Sequence, residues 1–269
     1  VGIVGHEHVP ENSHGDPGYI DIAKIIKFAK GSIPVTTATS VLIQNCASKR
    51  SDVGAGSWSK RKSILIKEIL AEDASFVVCP ELYSGQRNDI SKGIAKVYAL
   101  AGYREGRVMY YHKARWTPTT KSYWKDMIAK AKGKPAIGRT FKNTHGVLMT
   151  LIGMHTSYET TTAGSADRKK EIAAVIVWAK KTFVKNAGRR IYAGDVNAPA
   201  NSTTRPDDVG PIFKAHGYHD MGMEVRPAYG KGHYHLDRAF GGHGVTGTQV
   251  HVHAHAGSDH PATRVTYTF

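Results

Sequence analysis

Short apolar runs alternate with amphipathic stretches along most of the chain, a pattern typical of strands interleaved with helices. Helices are predicted at 60–70 and at 166–186, where Ile172, Ile176 and Ala179 share one face. The alternation, with antiparallel strands towards the C-terminus, predicts an α+β or α/β domain built in layers. Strands are predicted at 41–46, 74–81, 106–113, 146–155, 189–195, 234–240 and 248–256.

The beginning of the chain has a different character. Residues 1–31 contain a short apolar piece, several turn residues and a short amphipathic helix. The stretch 32–40 (SIPVTTATS) is rich in Ser, Thr and Pro and is the best linker candidate. We therefore predict an N-terminal segment at 1–31, a linker at 32–40 and a main domain at 41–269.

Charge is the first compositional feature that changes this picture. Among 269 residues, 37 Lys and Arg oppose 22 Asp and Glu, which gives a net charge of +15. This balance favours polyanionic partners such as nucleic acid or anionic surfaces, and a role in solubility alone is the alternative. No apolar run approaches the roughly 18 residues of a membrane span, and no signal peptide is visible. Because the first residue is Val, we expect part of a longer or processed chain, and its location stays open.

The two cysteines and the alternating histidines give weaker indications of function. Cys46 and Cys79 fall on two predicted strands, so free buried thiols are favoured and a disulfide is the alternative. His251, His253 and His255 alternate along one predicted strand, which is typical of a half-solvated face and is favoured over a zinc site.

Polar side chains suited to catalysis follow several of the apolar strands. Asp195 and Asn197, in the sequence AGDVNAP, end the strand 189–195 and project to the same side as residues i and i+2. Alone, such a pair is an ordinary turn. A series of them predicts a site, because strand ends cluster along one edge of a sheet. The other members of the series are Asn45, Glu81, His155, Asp237, Asp259 and His260.

Metal-assisted hydrolysis of phosphodiesters uses this set of groups. A hard divalent cation binds the oxygens of Glu, Asp and Asn and keeps positions open for water and phosphate. A histidine oriented by a carboxylate can act as a general base or stabilise developing charge.

The same residues, in this order, resemble the endonuclease/exonuclease/phosphatase superfamily, which has the deoxyribonuclease I-like fold. The resemblance covers roughly residues 40–269. It implies an α+β protein, a four-layer α/β/β/α sandwich in which two packed mixed sheets are flanked by helices. The motifs that carry it are SWSKRK (57–62), MHTS (154–157), DRKK (167–170), GDVN (194–197), LDRAF (236–240) and SDHPA (258–262).

The resemblance also implies a metal site and a phosphate-binding site. Glu81 would be the main ligand of Mg²⁺, for which Mn²⁺ or Ca²⁺ could substitute, and Asn45 and Asp259 would lie beside it. No clean motif identifies the family's phosphate-binding Tyr and Arg. The candidates are Arg104, Tyr110 and Tyr111.

The catalytic roles follow from the same resemblance. Asp195 would position or deprotonate the attacking water, and Asn197 would hold a phosphate oxygen. His260, paired with Asp237, would contact the scissile phosphate, and His155 would be a second such histidine. Read individually, the same residues have plainer explanations, and Asp237 could simply pair with Arg238 or with a neighbouring Lys.

A second resemblance concerns the leader GHEHVPENSHGDPG (5–18). It is similar to the closing segment of zinc-dependent N-acetylmuramoyl-L-alanine amidases of phage lysins, with His6 and Asp16 matching two of three zinc ligands. Two ligands cannot complete such a site, so an inactive remnant is expected. The alternative is a histidine-bearing leader without structure.

Three functions are compatible with these residues. We favour a monomeric, magnesium-dependent nuclease that acts on DNA rather than RNA, because basic stretches such as 59–62 and 130–134 suit phosphate contacts. A phosphomonoesterase or phospholipid phosphodiesterase with the same machinery is the first alternative, since a fold does not determine its substrate. A non-catalytic, cell-wall-targeting module of a lysin is the second. The amidase-like leader fits a phage or bacterial source, while endo or exo cleavage and the number of metals stay open.

Overall fold

The secondary structure alternates strands with helices and covers most of the chain after residue 38. The structure, a computed structural model, describes residues 38–47, 56–126, 135–158, 161–184, 189–198, 209–221, 236–242, 244–253, 258 and 262–269. The strands are β1 (Thr39–Ile43), β2 (Phe76–Cys79), β3 (Tyr98–Arg104), β4 (Arg107–His112), β5 (Trp116–Pro118), β6 (Tyr123–Asp126), β7 (Pro135–Asn143), β8 (Leu148–His155), β9 (Arg190–Asp195), β10 (His219–Asp220), β11 (Asp237–Gly241), β12 (Thr246–His253) and β13 (Ala262–Thr268). The helices are α1 (Trp58–Glu72), α2 (Ser84–Ile94), α3 (Thr162–Thr182) and α4 (Gly210–Ala215).

The strands form two mixed sheets. The first has the order β12-β13-β1-β2-β4-β3, and the second has the order β10-β11-β9-β8-β7-β5, with β6 also paired to β7. Most neighbours are antiparallel, but β1 and β2 are parallel in the first sheet, and β8 and β9 are parallel in the second. Each sheet therefore contains one pair of strands whose carboxyl ends lie side by side.

Alternate residues of the central strands enter different cores, which explains why these strands read as continuous apolar runs. Val41 and Val78 of the first sheet belong to the same core as Leu151 and Ala193 of the second. The opposite face of the first sheet packs against α1 and α2, and that of the second against α3 and α4. The result is the four-layer α/β/β/α sandwich expected from the sequence.

The longest amphipathic segments were predicted best. The helices at 60–70 and 166–186 are confirmed as α1 and α3, while α2 was missed because Ile90 and Ile94 are its only buried residues. The short helix α4 was also missed, as were the strands β3, β5, β6, β7, β10 and β13. Cys46 and Cys79 are free buried thiols, which confirms the interpretation favoured over a disulfide. No described helix is long and apolar enough to cross a membrane.

The predicted domain boundaries stay predictions. The described residues belong to one compact unit, Thr37–Phe269, and the other unit, Val1–Thr36, lies outside them together with the amidase-like leader. The first strand begins at Thr39, so the last two residues of the proposed linker belong to β1. The structure describes the backbone of β12 at residues 251 and 253 but not their side chains, so the interpretation of the alternating histidines stays a prediction.

Candidate active site

The carboxyl ends of the two parallel strand pairs meet at one end of the inter-sheet core. Asn45 follows β1 and Glu81 follows β2, while His155 ends β8 and Asp195 ends β9. Ile43 and Ala193 face the inter-sheet core, so Asn45 and Asp195, two residues further along, face the same space. Strand ends from both sheets thus deliver four of the predicted site residues to one place.

Glu81, His155 and Asp195 form a cluster that could hold a metal ion. One ligand atom from each residue lies within 4.8 Å of the others. His155 Nε2 lies 3.5 Å from Asp195 Oδ2 and 4.0 Å from Glu81 Oε1. Two carboxylates and an imidazole are suitable donors for a divalent cation, and the carboxylates suit Mg²⁺ or Mn²⁺ best. The side chains present therefore fit the expected metal.

Asp195 is buried but well supplied with hydrogen-bond donors. Its Oδ2 accepts a bond of 3.1 Å from Asn45 Nδ2, and its Oδ1 accepts a bond of 2.9 Å from the backbone N–H of Asn197. These bonds stabilise the ionised form, which would be costly to bury alone. The amide oxygen of Asn45 accepts from the N–H of Ala47 at 2.9 Å, so the contact seen is with Asp195, and metal binding by Asn45 stays a prediction.

The backbone conformation of the GDVN motif explains why Gly and Asn occupy its first and last positions. Gly194 has φ 146°, and a Cβ atom there would lie 1.9 Å from the carbonyl oxygen of Met154 on β8, so only glycine fits. Asn197 has φ 49°, a left-handed conformation that Asn tolerates, and its Nδ2 donates to the Thr156 carbonyl at 3.0 Å. Asp195 thus belongs to the cluster, and Asn197 lies in the bend that immediately follows it.

Arg61 of the SWSKRK motif holds the loop that follows β1. Its buried guanidinium donates to the carbonyl oxygens of Cys46 at 2.8 Å, Ala47 at 2.9 Å and Gly56 at 2.8 Å. Cys46 and Ala47 immediately follow Asn45, so Arg61 binds the backbone next to the residue that bonds Asp195. Beside it, a hydrogen bond with the Cys79 thiol and burial raise the pKa of the Cys46 thiol well above its usual range.

Glu171 holds the loop after β8 by hydrogen bonds, as Arg61 holds the loop after β1. The sequence did not predict this role for Glu171. Its buried carboxylate accepts from the backbone N–H of Ser157 at 2.8 Å and from the Ser157 hydroxyl at 2.7 Å. Arg168 donates to the Ser157 carbonyl at 3.3 Å. The available signal was the DRKK motif, which contains Arg168 and ends immediately before Glu171.

Asp237 lies in the same row of the second sheet as the cluster. Asp195 is paired with His155 on one neighbouring strand and with Asp237 on the other, so the three side chains share a face. Arg238 points to the opposite face and donates to Asp220 Oδ2 at 2.7 Å and to the Ala198 carbonyl at 3.0 Å. Asp237 and Arg238 therefore project from opposite faces of the sheet, and Arg238 pairs with Asp220.

Two of the three predicted phosphate-binding residues lie apart from the cluster. Tyr110 is buried beneath α2, where its hydroxyl bonds that of Ser91 at 2.9 Å, on the face of the sheet opposite to Asp195. Tyr111 is paired with Phe76 at the start of β2 and packs against the ring of Phe141. The physical reason is that neither position on β4 faces the inter-sheet core near its carboxyl-end opening.

Arg104 does lie at the end of the first sheet that carries Glu81. It is half-exposed in the β3–β4 hairpin, whose Gly106 carbonyl accepts from the N–H of Leu82 at 2.9 Å. Arg107, buried in the same hairpin, was not predicted. Burial lowers the pKa of its guanidinium, and Tyr83 and Glu81 are among the nearby groups that oppose this shift. Two arginine side chains, Arg104 and Arg107, therefore lie on the Glu81 side of the site. The predicted site residues Asp259 and His260 lie outside the described residues.

Comparisons with known proteins support the fold. No protein-family model matches the chain, and no curated protein matches it in sequence. Solved structures do match. An endonuclease/exonuclease/phosphatase from Bacteroides vulgatus is 16% identical, with a TM-score of 0.69, over 86% of this chain and 98% of that one.

Two further structures show how widely such proteins differ. TDP2 from D. rerio, in a complex with a single-stranded DNA product, is 16% identical with a TM-score of 0.67 over 87% of this chain and 100% of that one. A mannosyl-6-phosphatase from Bacteroides thetaiotaomicron is 13% identical with a TM-score of 0.65 over 86% and 100%. At these identities the likeness defines the fold, which is deoxyribonuclease I-like.

Proposed function

We propose that this protein is a divalent-metal-dependent phosphodiesterase that hydrolyses DNA by attack of an activated water. The observation that carries the proposal is the cluster of Glu81, His155 and Asp195 at the joint opening of two sheets. Such a cluster in a deoxyribonuclease I-like fold combines a metal-binding carboxylate, a second carboxylate and an imidazole within reach of one phosphate.

Each residue has a distinct part in the proposed reaction. A bound cation would neutralise charge on the phosphate and polarise it. Glu81 would hold that cation, with Asn45 and Asp259 beside it. Asp195, whose orientation Asn45 fixes, would align the attacking water and accept its proton.

The remaining groups would act on the phosphate. His155 presents Nε2 towards the cluster, where it would donate a hydrogen bond to a phosphate oxygen as negative charge develops. Asn197 would hold another oxygen, and His260, oriented by Asp237, would contact the scissile phosphate. Arg104 is the one predicted phosphate-binding residue whose position suits this part, since Tyr110 and Tyr111 face other surroundings.

DNA is favoured as the substrate by charge. The net charge of +15 suits a polyanion, because phosphate contacts dominate nucleic-acid binding. The TDP2 structure with its single-stranded DNA product is consistent with this choice. The second candidate is a phosphomonoesterase, which the similarity to a mannosyl-6-phosphatase favours.

The test is a parallel assay of plasmid DNA, single-stranded DNA, RNA and a panel of sugar phosphates, with Mg²⁺ or with EDTA. We expect Mg²⁺-dependent cleavage of DNA that falls steeply with salt. Glu81→Gln should abolish it, and Asp126→Asn, at an exposed position of β6, should not. Turnover of sugar phosphates alone would favour the second candidate, and a pure, metal-loaded protein inert on every substrate would refute both.

A further inference from the structure

A basic cavity of about 310 Å³ lies at the end of the second sheet opposite to the candidate active site. Arg190, at the start of β9, lines this cavity, and Asp195, at the end of the same strand, belongs to the metal cluster. Five strand residues at about 3.3 Å each separate the two positions by about 17 Å. The cavity is therefore not an extension of the site already described.

The charged side chains that line the cavity are all basic. Lys180 from the last turn of α3, Arg190 and His216 at the end of α4 contribute to its wall, and none of the described lining residues carries a carboxylate. Lys180 Nζ lies 3.5 Å from His216 Nδ1, so an ammonium and an imidazole converge on one point. Donors placed in this way attract an anion.

The aromatic part of the wall is held rigidly. Tyr218 is buried, its hydroxyl accepts from Arg190 Nη1 at 3.3 Å, and its ring lies 5.9 Å from Lys180 Nζ. Arg190 is itself fixed by a bond of 2.9 Å from Nη2 to the Phe183 carbonyl. The cavity thus combines a guanidinium and a phenol that are held by hydrogen bonds with an exposed ammonium at the rim.

We infer that this cavity binds the phosphate group of a small phosphate monoester. The volume exceeds that of inorganic phosphate, and Tyr218 together with Val184 offers apolar surface to the organic part of the ligand. A dianionic monoester would be bound by Lys180 and His216 at the rim and by the positive field of Arg190 below. Long nucleic acid bound at the metal cluster is a poor occupant, because the cavity lies at the other end of the strands.

The test follows amide resonances of ¹⁵N-labelled protein in EDTA at constant ionic strength while ribose 5-phosphate, inorganic phosphate or ribose is added. Without divalent metal the catalytic cluster is not loaded, so the result does not depend on the proposed nuclease activity. We expect saturable shifts of Gly217 and Gly242, tighter for ribose 5-phosphate than for phosphate and absent with ribose. Lys180→Gln and His216→Gln should each weaken binding about tenfold.

Lys181→Gln is the matched control, because Lys181 is exposed, lies in the same last turn of α3 and does not line the cavity. Unchanged binding in this variant supports the inference. Equal weakening by Lys180→Gln and Lys181→Gln would show general charge attraction and overturn it. So would the absence of saturable shifts, or shifts that ribose alone reproduces.

Discussion

Asn45 donates a hydrogen bond of 3.1 Å to Asp195, a residue 150 positions further along the chain. Asn45 follows a strand of the first sheet and Asp195 ends a strand of the second, so this bond ties the two sheets together at the candidate active site. The bond also assigns the two side chains different chemistry: the amide orients, and the carboxylate carries the charge. Exchanging them is the most direct way to separate structure from catalysis.

Asp195→Asn is expected to reduce both stability and activity. The new amide would keep its oxygen towards the N–H of Asn197 and turn its NH₂ towards Asn45 Nδ2, so two donors would face each other. We expect a loss of about 1–3 kcal/mol in the free energy of unfolding. Activity should fall at least about 100-fold, since the group proposed to activate water is lost.

The double variant Asn45→Asp, Asp195→Asn restores a donor and an acceptor but moves the charge to the other sheet. We expect urea unfolding to show recovery of most of the lost stability, whereas DNA cleavage stays low. Recovery of cleavage would mean that the position of the carboxylate is unimportant, contrary to the proposed role of Asp195. Asp126→Asn, at an exposed position of β6, serves as the control for loss of one negative charge.

Mg²⁺ is expected to stabilise the folded protein, because a ligand that binds only the native state raises the melting temperature. The cluster supplies Glu81 and Asp195 carboxylates within reach of one ion. Differential scanning fluorimetry should therefore show a Mg²⁺-dependent increase in Tm. Glu81→Gln should remove the increase, and Glu105→Gln should retain it.

Gly194→Ala is expected to destabilise the protein by at least about 3 kcal/mol, since an overlap with backbone cannot be relieved by turning a side chain. The added methyl would lie 1.9 Å from the Met154 carbonyl oxygen. Gly146→Ala provides the comparison, because Gly146 also has a positive φ, 81°, but has no atom within 4 Å of the added methyl. Chemical denaturation should show a loss of only about 1 kcal/mol there.

Glu81→Gly is expected to stabilise the protein while it abolishes metal binding. Glu81 has φ 58°, and a left-handed conformation costs a non-glycine residue about 1–2 kcal/mol, against about 0.5–1 kcal/mol for the greater freedom of glycine when unfolded. The net gain in the free energy of unfolding should be about 0.5–1 kcal/mol. Glu105→Gly, at φ 43°, should give a similar gain in the free energy of unfolding while it retains metal binding.

Acid should destabilise the protein partly through His112. Burial, and less strongly Arg115, lower the pKa of this imidazole, while Asp73, 3.3 Å away, opposes the shift. Below about pH 6.5 the unfolded chain takes up a proton that the folded chain resists, so stability falls as the pH falls. His112→Gln should flatten this dependence between about pH 7 and pH 5 in urea titrations. The exposed His145→Gln should leave it unchanged.

The pattern of strands and helices predicted a layered α+β or α/β domain, and the resemblance to the superfamily implied the four-layer sandwich. Much of the cluster could be predicted from the strand ends, for a physical reason. Apolar strands that end in Asn, Glu, His or Asp mark the edge of a sheet, and the parallel pairs bring these ends together. The sequence could not show which face of β4 meets the other sheet, so Tyr110 and Tyr111 were placed with the phosphate although one lies under a helix and the other against Phe141.

Buried polar residues on helices were equally hard to find in advance. Glu171 looks like one more charge on an amphipathic helix, and its part depends on the loop after β8, which brings Ser157 to it. Arg107 similarly reads as a surface residue of a hairpin. Such contacts join segments that are distant in sequence, so a local sequence pattern does not identify the partner residue.

The cluster draws its members from residues 81, 155 and 195, which are delivered by strands of different sheets. Because synthesis starts at the N-terminus, a nascent chain that contains only the first half of the domain lacks Asp195 and the strand that positions it. The cluster is therefore complete only when strands of both sheets have been synthesised and packed together.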